Sequence, residues 1–371
     1  MSTIGLALLL SVIAGCFNGS WGTPPKYMNK WKNETIWFSF SFFAFLILPW
    51  LTLLVLSPEA LEVVFSLPSE AVWTMLIGGL IFGLSQAFFA IAFKFIGVGI
   101  NYVINISMGT AGSALVPFFW HRDLIGTEYF YFQILGVSLF VIAVVVGAFA
   151  GAARDKNQDS LKETTNSTEE KNGRSKLFYL MIGVILSILA GVGSACEGIA
   201  YIFANPTVSK MATDSFNIPS LPANIITWVI LFSAAWIPFA LYFLILVIKN
   251  KGFSSYSVPK TKKYWLLVIL MGCGFWGGLV FFSKASIVVG GNLAPMITWP
   301  LFMVFIILVS NFWSWITGEW KNAGIKAKSY MWGGILLFIV AIGIFSYSSG
   351  LKPEGKHKVL HTSHIHEYMK K

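Results

Sequence analysis

Apolar residues run along this chain in blocks of about 20, the length of helix that crosses a bilayer core of ~30 Å. Ten such blocks fall near residues 4–22, 36–56, 73–93, 100–120, 130–150, 177–203, 225–248, 264–283, 293–316 and 329–349. Short polar stretches separate them. The shortest connection, Lys94 to Gly99, predicts an antiparallel helix pair. The longest polar one, within 151–176, is rich in charge, Asn, Ser and Thr and reads as a disordered cytoplasmic linker. The pattern predicts an all-α integral membrane protein of ten transmembrane helices, closed by a polar basic tail over 350–371.

The first block returns later in the chain. "LSVIAGCFNGSW" from Leu10 matches "LSILAGVGSACE" from Leu186 at an offset of 176. Gly78, Phe82 and Gly83 align with Gly272, Trp276 and Gly277 at 194, and "GVSLFVIAVVVG" from Gly136 aligns with "GILLFIVAIGIF" from Gly334 at 198. The matches keep their order while the offset grows. They imply two five-helix repeats, over 1–150 and 177–349. Five is odd, so the second copy enters the membrane from the opposite face, an inverted-topology repeat of the kind that places a substrate site at the interface of the halves.

Composition sharpens the class. The chain is 56% hydrophobic and 11% charged, against about 25% charged for an ordinary soluble domain. Loops following the odd blocks hold 18 of the Lys and Arg residues and those following the even blocks hold 3, so the odd loops are expected in the cytoplasm and both termini outside. The net charge of +10 is therefore membrane topology rather than a nucleic-acid footprint. Ile13-Ala14-Gly15-Cys16 has the form of a lipoprotein cleavage site. No Lys or Arg precedes it, and the block is expected to stay uncut as the first helix. Cys16, Cys196 and Cys273 lie in apolar runs without metal-ligand spacing and read as packing residues. His357, His361, His364 and His366 read as part of a solvated tail, so neither a metal nor a cofactor is expected.

Residues 30–50, "KWKNETIWFSFSFFAFLILPW", together with Gly318 to Gly324, "GEWKNAG", resemble the L-rhamnose/proton symporter family of the drug/metabolite transporter superfamily. The marking positions are Trp31, Glu34, Thr35, Trp37, Leu48-Pro49-Trp50, Glu319, Trp320, Asn322, Ala323 and Gly324, with Gly79 to Gly99 similar as well. The resemblance implies a ten-helix carrier in the cell membrane that moves a neutral, rhamnose-like sugar inward with a proton. Export or uniport of another small solute, such as an amino acid, nucleotide-sugar or drug, is the alternative.

A sugar is held by amides and hydroxyls and by aromatic faces against its C–H surface, and polar groups inside apolar helices are costly enough to mark function. Asn101 and Asn105, four apart, form a polar face that suits a cavity or close helix packing. Gln86 is similarly isolated. Trp299 precedes Pro300, where a broken helix would turn its carbonyls to a cavity and a simple kink would not. Glu197 is the one acidic residue deep inside an apolar block. A carboxyl group without a cation can take and release a proton there, unless Lys284 pairs with it and makes it structural. Tyr201 lies four residues beyond Glu197. Through the repeat, Asn18 and Trp21 correspond to Ser194 and Glu197, and all four are expected on the pathway. The sequence holds no HExxH or GxSxG and no His in any apolar block, which argues against an enzyme. The solute, coupling ion and oligomeric state are not legible at this level.

Overall fold

A computed structural model describes residues 3–162, 173–290, 294–318, 320–321 and 323–351, and every regular element among them is helical. The α-helices are α1 (Thr3–Ser20), α2 (Asn33–Ser41), α3 (Leu48–Leu56), α4 (Ala60–Ser66), α5 (Ser69–Leu115), α6 (Glu128–Lys162), α7 (Gly173–Phe216), α8 (Ser220–Lys249), α9 (Lys262–Val289), α10 (Ala294–Ile316) and α11 (Ile325–Gly350). Nine spans among the described residues are long and apolar enough to cross a membrane. One of them, Asn33–Leu56, joins α2 to α3. Pro49 offers no N–H to the ladder, which widens just before it, with Leu48 donating to the carbonyl of Phe43.

α5 holds the third expected block and most of the fourth, and it is not straight. The Asn101 side-chain amide donates to the carbonyl of Phe89 at 2.8 Å, although twelve residues of straight helix would separate them by about 18 Å. The packing on α7 shows the reversal. Gly78 lies against Ala200 and Gly193 against Ser85, an antiparallel register. Gly191 lies against Met108, and Gly112 against Ala195, a parallel one. The chain therefore folds back between Phe89 and Asn101, and α7 packs against both arms.

α1 repeats this arrangement with the other end of the chain. Gly274 of α9 meets Trp21, just past the end of α1, and Gly278 meets Ala14, antiparallel, while Gly15 and Gly19 meet Phe305 and Val309 of α10, parallel. Glycine at these crossings is what lets the helices approach so closely. α6 and α11 run antiparallel, with Gly136 against Phe345 and Gly334 against Ala143. The Asn33–Leu56 span packs on α8, where Phe45 stacks on Phe232 at 5.4 Å and the Trp50 indole donates to Ser233 at 2.9 Å.

Element ends differ most from the sequence expectation in α6 and α7. α6 continues through the polar stretch to Lys162, whose Ala, Arg, Lys, Gln and Leu are good helix formers. α7 runs past 203 to Phe216 and stops at Asn217, whose φ of 54° is a left-handed conformation that asparagine tolerates. Pro300 lies inside α10, which continues past it. The core of the 151–176 linker, Asn292, Glu319, Asn322 and the histidine-bearing tail lie outside the described residues.

Candidate functional site

Where the two helix pairs meet, a cavity of about 190 Å³ lies among α1, both arms of α5, α7, α9 and α10. Its polar lining holds Asn18, Gln86, Asn105, Thr110, Ser194 and Glu197. Its aromatic lining is Trp21, Phe82, Phe275, Trp299 and Phe302, interleaved with the polar groups on α1, α5 and α9. Seven of the residues singled out in the sequence thus share one space: Asn18, Trp21, Gln86, Asn105, Ser194, Glu197 and Trp299.

Packing explains how each is held. The Asn18 amide donates to the carbonyl of Phe275 at 3.1 Å, tying α1 to α9. Trp21 stacks on Phe40 with centroids 4.9 Å apart and planes at 9°, so its ring is fixed as a flat surface. Gln86 donates to the Ser194 hydroxyl at 3.4 Å, and Ser194 donates to the Asn105 carbonyl oxygen at 3.3 Å. This relay joins both arms of α5 to α7. Glu197 is buried, and among the described residues none donates a hydrogen bond to its carboxyl group or pairs with its charge.

Three expected site residues stand elsewhere. Asn101 is fully buried, accepting from Ser187 at 2.5 Å and donating to Phe89, so it fastens helices together. It shares a helix face with Asn105, but the cavity opens only from 105 onward. Tyr201 does not line the cavity: it stacks on Trp228 and donates to Asn224 at 3.2 Å. Lys284 is exposed on α9 and forms no ion pair with Glu197.

The cavity is open at one end. It shares Gly19, Gly22, Ile106, Ile306 and Ser310 with a groove of about 390 Å³ whose rim includes Lys26 and Arg154. At the other end lies a separate crevice of about 820 Å³ with Asn205, Asn224, Lys210 and Asp214 on its walls. Between crevice and cavity stand stacked rings. Tyr201 lies on Trp228, and Trp228 faces Trp299 at 6.0 Å, with Phe282 edge-on to Trp299 at 5.2 Å. Polar bonds brace the stack from the crevice side. Asn205 donates to Asn224 at 2.8 Å, and Thr227 donates to Asn205 at 3.1 Å.

Sequence reasoning missed Thr110, Phe275 and Phe302. Phenylalanines are too frequent in this chain to stand out, and a lone threonine in an apolar helix most often bonds to its own backbone.

Comparison with known proteins gives one consistent result. The family model described as L-rhamnose-proton symport protein matches residues 1–350. The L-rhamnose-proton symporter of Cronobacter sakazakii (strain ATCC BAA-894) is 24% identical, over 92% of this chain and 97% of its own. That of Yersinia pestis bv. Antiqua (strain Antiqua) is 25% identical over 89% and 93%, and that of Citrobacter koseri is 24% identical over 91% and 94%.

Proposed function

Because the chain belongs to the L-rhamnose-proton symport protein family, whose members are transporters and not enzymes, we propose that it carries a neutral, rhamnose-like monosaccharide inward with a proton by alternating access. The observation that carries this reading is a cavity lined by both polar and aromatic side chains. Flat indole faces suit the C–H surface of a sugar ring, and amides and hydroxyls suit its edge. At about 190 Å³ the space is below the ~300–1,000 Å³ of drug-sized sites, which favours a monosaccharide over a nucleotide-sugar. Among the described residues no Lys, Arg or His lines it, which favours a neutral solute.

Glu197 is the coupling site in this reading. It faces the space the sugar would fill, without a cation to keep it charged. Asn18, Trp21, Gln86, Asn105, Ser194 and Trp299 hold the solute, and Tyr201 acts one layer away, through Trp228.

The reading includes ten crossings arranged as two inverted five-helix repeats. The reciprocal packing supports it: α1 lies antiparallel to α9 and parallel to α10, and α7 lies antiparallel to the first arm of α5 and parallel to the second. An inversion relates these pairs, whereas a repeat with both copies entering from one face would give the opposite directions. With the basic loops in the cytoplasm and both termini outside, the groove at Lys26 and Arg154 opens inward, and the rings between Tyr201 and Trp299 are the closed outer gate. Proteoliposomes test the function. Concentrative uptake of labelled L-rhamnose or another neutral monosaccharide under an inward proton gradient is expected, and its absence across such a panel would reject the proposal.

A further inference from the structure

Most polar groups in the cavity are already engaged with one another. The Asn18 amide is held by Phe275, the Gln86 amide by Ser194, and the Ser194 hydroxyl by the Asn105 carbonyl oxygen. Among the groups that remain, three are buried at the α5–α7 side. Among the described residues, the buried Asn105 side-chain amide nitrogen and Thr110 hydroxyl have no hydrogen-bond partner, and the Glu197 carboxyl has none either. Threonine inside a helix can satisfy its hydroxyl on the carbonyl four residues back, as Ser113 does on Gly109 at 2.8 Å. Thr110 does not, although it is only 1% exposed. A buried polar group left unsatisfied in this way costs about 1–3 kcal/mol and calls for a partner that arrives from elsewhere.

Their order along the cavity gives that partner a shape. Asn105 and Thr110 lie five residues apart on the second arm of α5, about 7.5 Å along the helix axis. α7 packs parallel to this arm. Ser194 sits at the level of Gly109 and Gly198 at that of Ser113, which puts Thr110 level with Ser194 and Glu197 about one turn further toward the closed end, while Asn105 lies nearer the open groove. A ring bound between them would present one hydroxyl to Thr110 and Glu197 and another to Asn105.

We infer that Thr110 is a specificity-determining residue, which together with Glu197 reads the innermost hydroxyl of a bound monosaccharide while Asn105 donates to a hydroxyl at the opposite end of the ring. This rests on the sugar reading above and extends it to the stereochemistry of the solute. A sugar lacking the inner hydroxyl leaves Thr110 and Glu197 unpaired and is rejected. That hydroxyl also meets the group proposed to carry the proton.

Titration calorimetry of the purified full-length protein in nanodiscs, with L-rhamnose and its monodeoxy analogues, tests this. Thr110→Val keeps the shape and removes the hydroxyl, so it is expected to weaken L-rhamnose binding about two- to tenfold, the worth of one hydrogen bond. Thr110→Ser should restore it. One analogue, lacking the inner hydroxyl, should bind wild type and Thr110→Val alike. Equal weakening for every analogue, or no effect on any, overturns the assignment of Thr110 while leaving the sugar reading intact. If Thr110→Val does not fold, Thr110→Ala with the same panel gives the same comparison. No wild-type response to any member of the panel would overturn the sugar reading and this inference together.

Discussion

Tyr201 and Trp228 lie face to face, their ring centroids 4.1 Å apart and their planes at 13°. The Tyr201 hydroxyl points away from the cavity to Asn224, which also accepts from Asn205. One carbonyl oxygen therefore holds two donors at the crevice end of the stack. Asn224→Ala should leave both donors without their acceptor in the closed form, at a cost of about 1–3 kcal/mol each, while water satisfies them in an open one. About 1.4 kcal/mol shifts such an equilibrium tenfold. With a reporter at Ser286→Cys on the crevice wall, labelling by a membrane-impermeant maleimide should be faster in Asn224→Ala than in its parent. An unchanged rate would remove Asn224 from the gate.

Glu197→Gln keeps the size of the side chain and abolishes its charge. Uptake against a gradient should cease, while exchange of labelled for unlabelled sugar across the membrane persists and no longer depends on pH. Accumulation with the parent pH profile would show that the proton travels by another route.

The closest helix crossings should tolerate no added bulk. Gly193 is pressed against Ser85 and the carbonyl of Ile81, so Gly193→Val forces α5 and α7 apart, and overpacking of this kind costs about 1–3 kcal/mol. Gly343 of α11 has open space beside it, and Gly343→Ala should gain about 0.5–1 kcal/mol from a stiffer unfolded chain and better helix propensity. Thermal unfolding in detergent should lower the midpoint for the first and hold or raise it for the second.

Outside the membrane spans, Tyr256 hydrogen-bonds to Ser39 at 2.6 Å and stacks on Trp265. Burial pushes its phenol above the ordinary range, with the bond to Ser39 a smaller opposing effect. Because the folded value is the higher one, the stabilisation is complete below about pH 10, where the unfolded tyrosine titrates, and is lost as pH rises through the folded value. Tyr256→Phe should lower stability by about 1 kcal/mol at neutral pH and flatten the alkaline decline. A variant that declines as steeply as the parent above pH 10 would place that titration on another group.

Helix positions were legible because apolar length and loop charge follow from the bilayer alone. The fold-back in α5 is the antiparallel pair that the short Lys94–Gly99 connection predicts, although helical residues run from Ser69 to Leu115; the Asn101–Phe89 bond and the two registers on α7 reveal it. Residues that mark the family are largely scaffold. Trp31 packs edge-on to Tyr256, Tyr264 and Trp265, and Trp320 lies beneath the Arg154 guanidinium at 5.2 Å. Isolated polar residues pointed to the cavity more directly, since burial in an apolar helix is costly wherever they occur. Which of them face the cavity depended on depth: Asn101 and Asn105 share a helix face, yet the first binds helices together and the second lines the space. Tyr201 lies one layer behind the cavity wall, its ring stacked on Trp228.

The link from Asn18 to Phe275 spans 257 residues. At a synthesis rate of ~5–20 residues per second, the first helix waits roughly 13–50 s in the membrane before the groups that bury it emerge from the ribosome. During that time the Asn18 amide lacks the acceptor it has in the folded protein. Neither half should assemble alone from a split gene, because each half lends its first helix to the other's core. Two co-expressed fragments, cut within 163–172, should reconstitute the bundle.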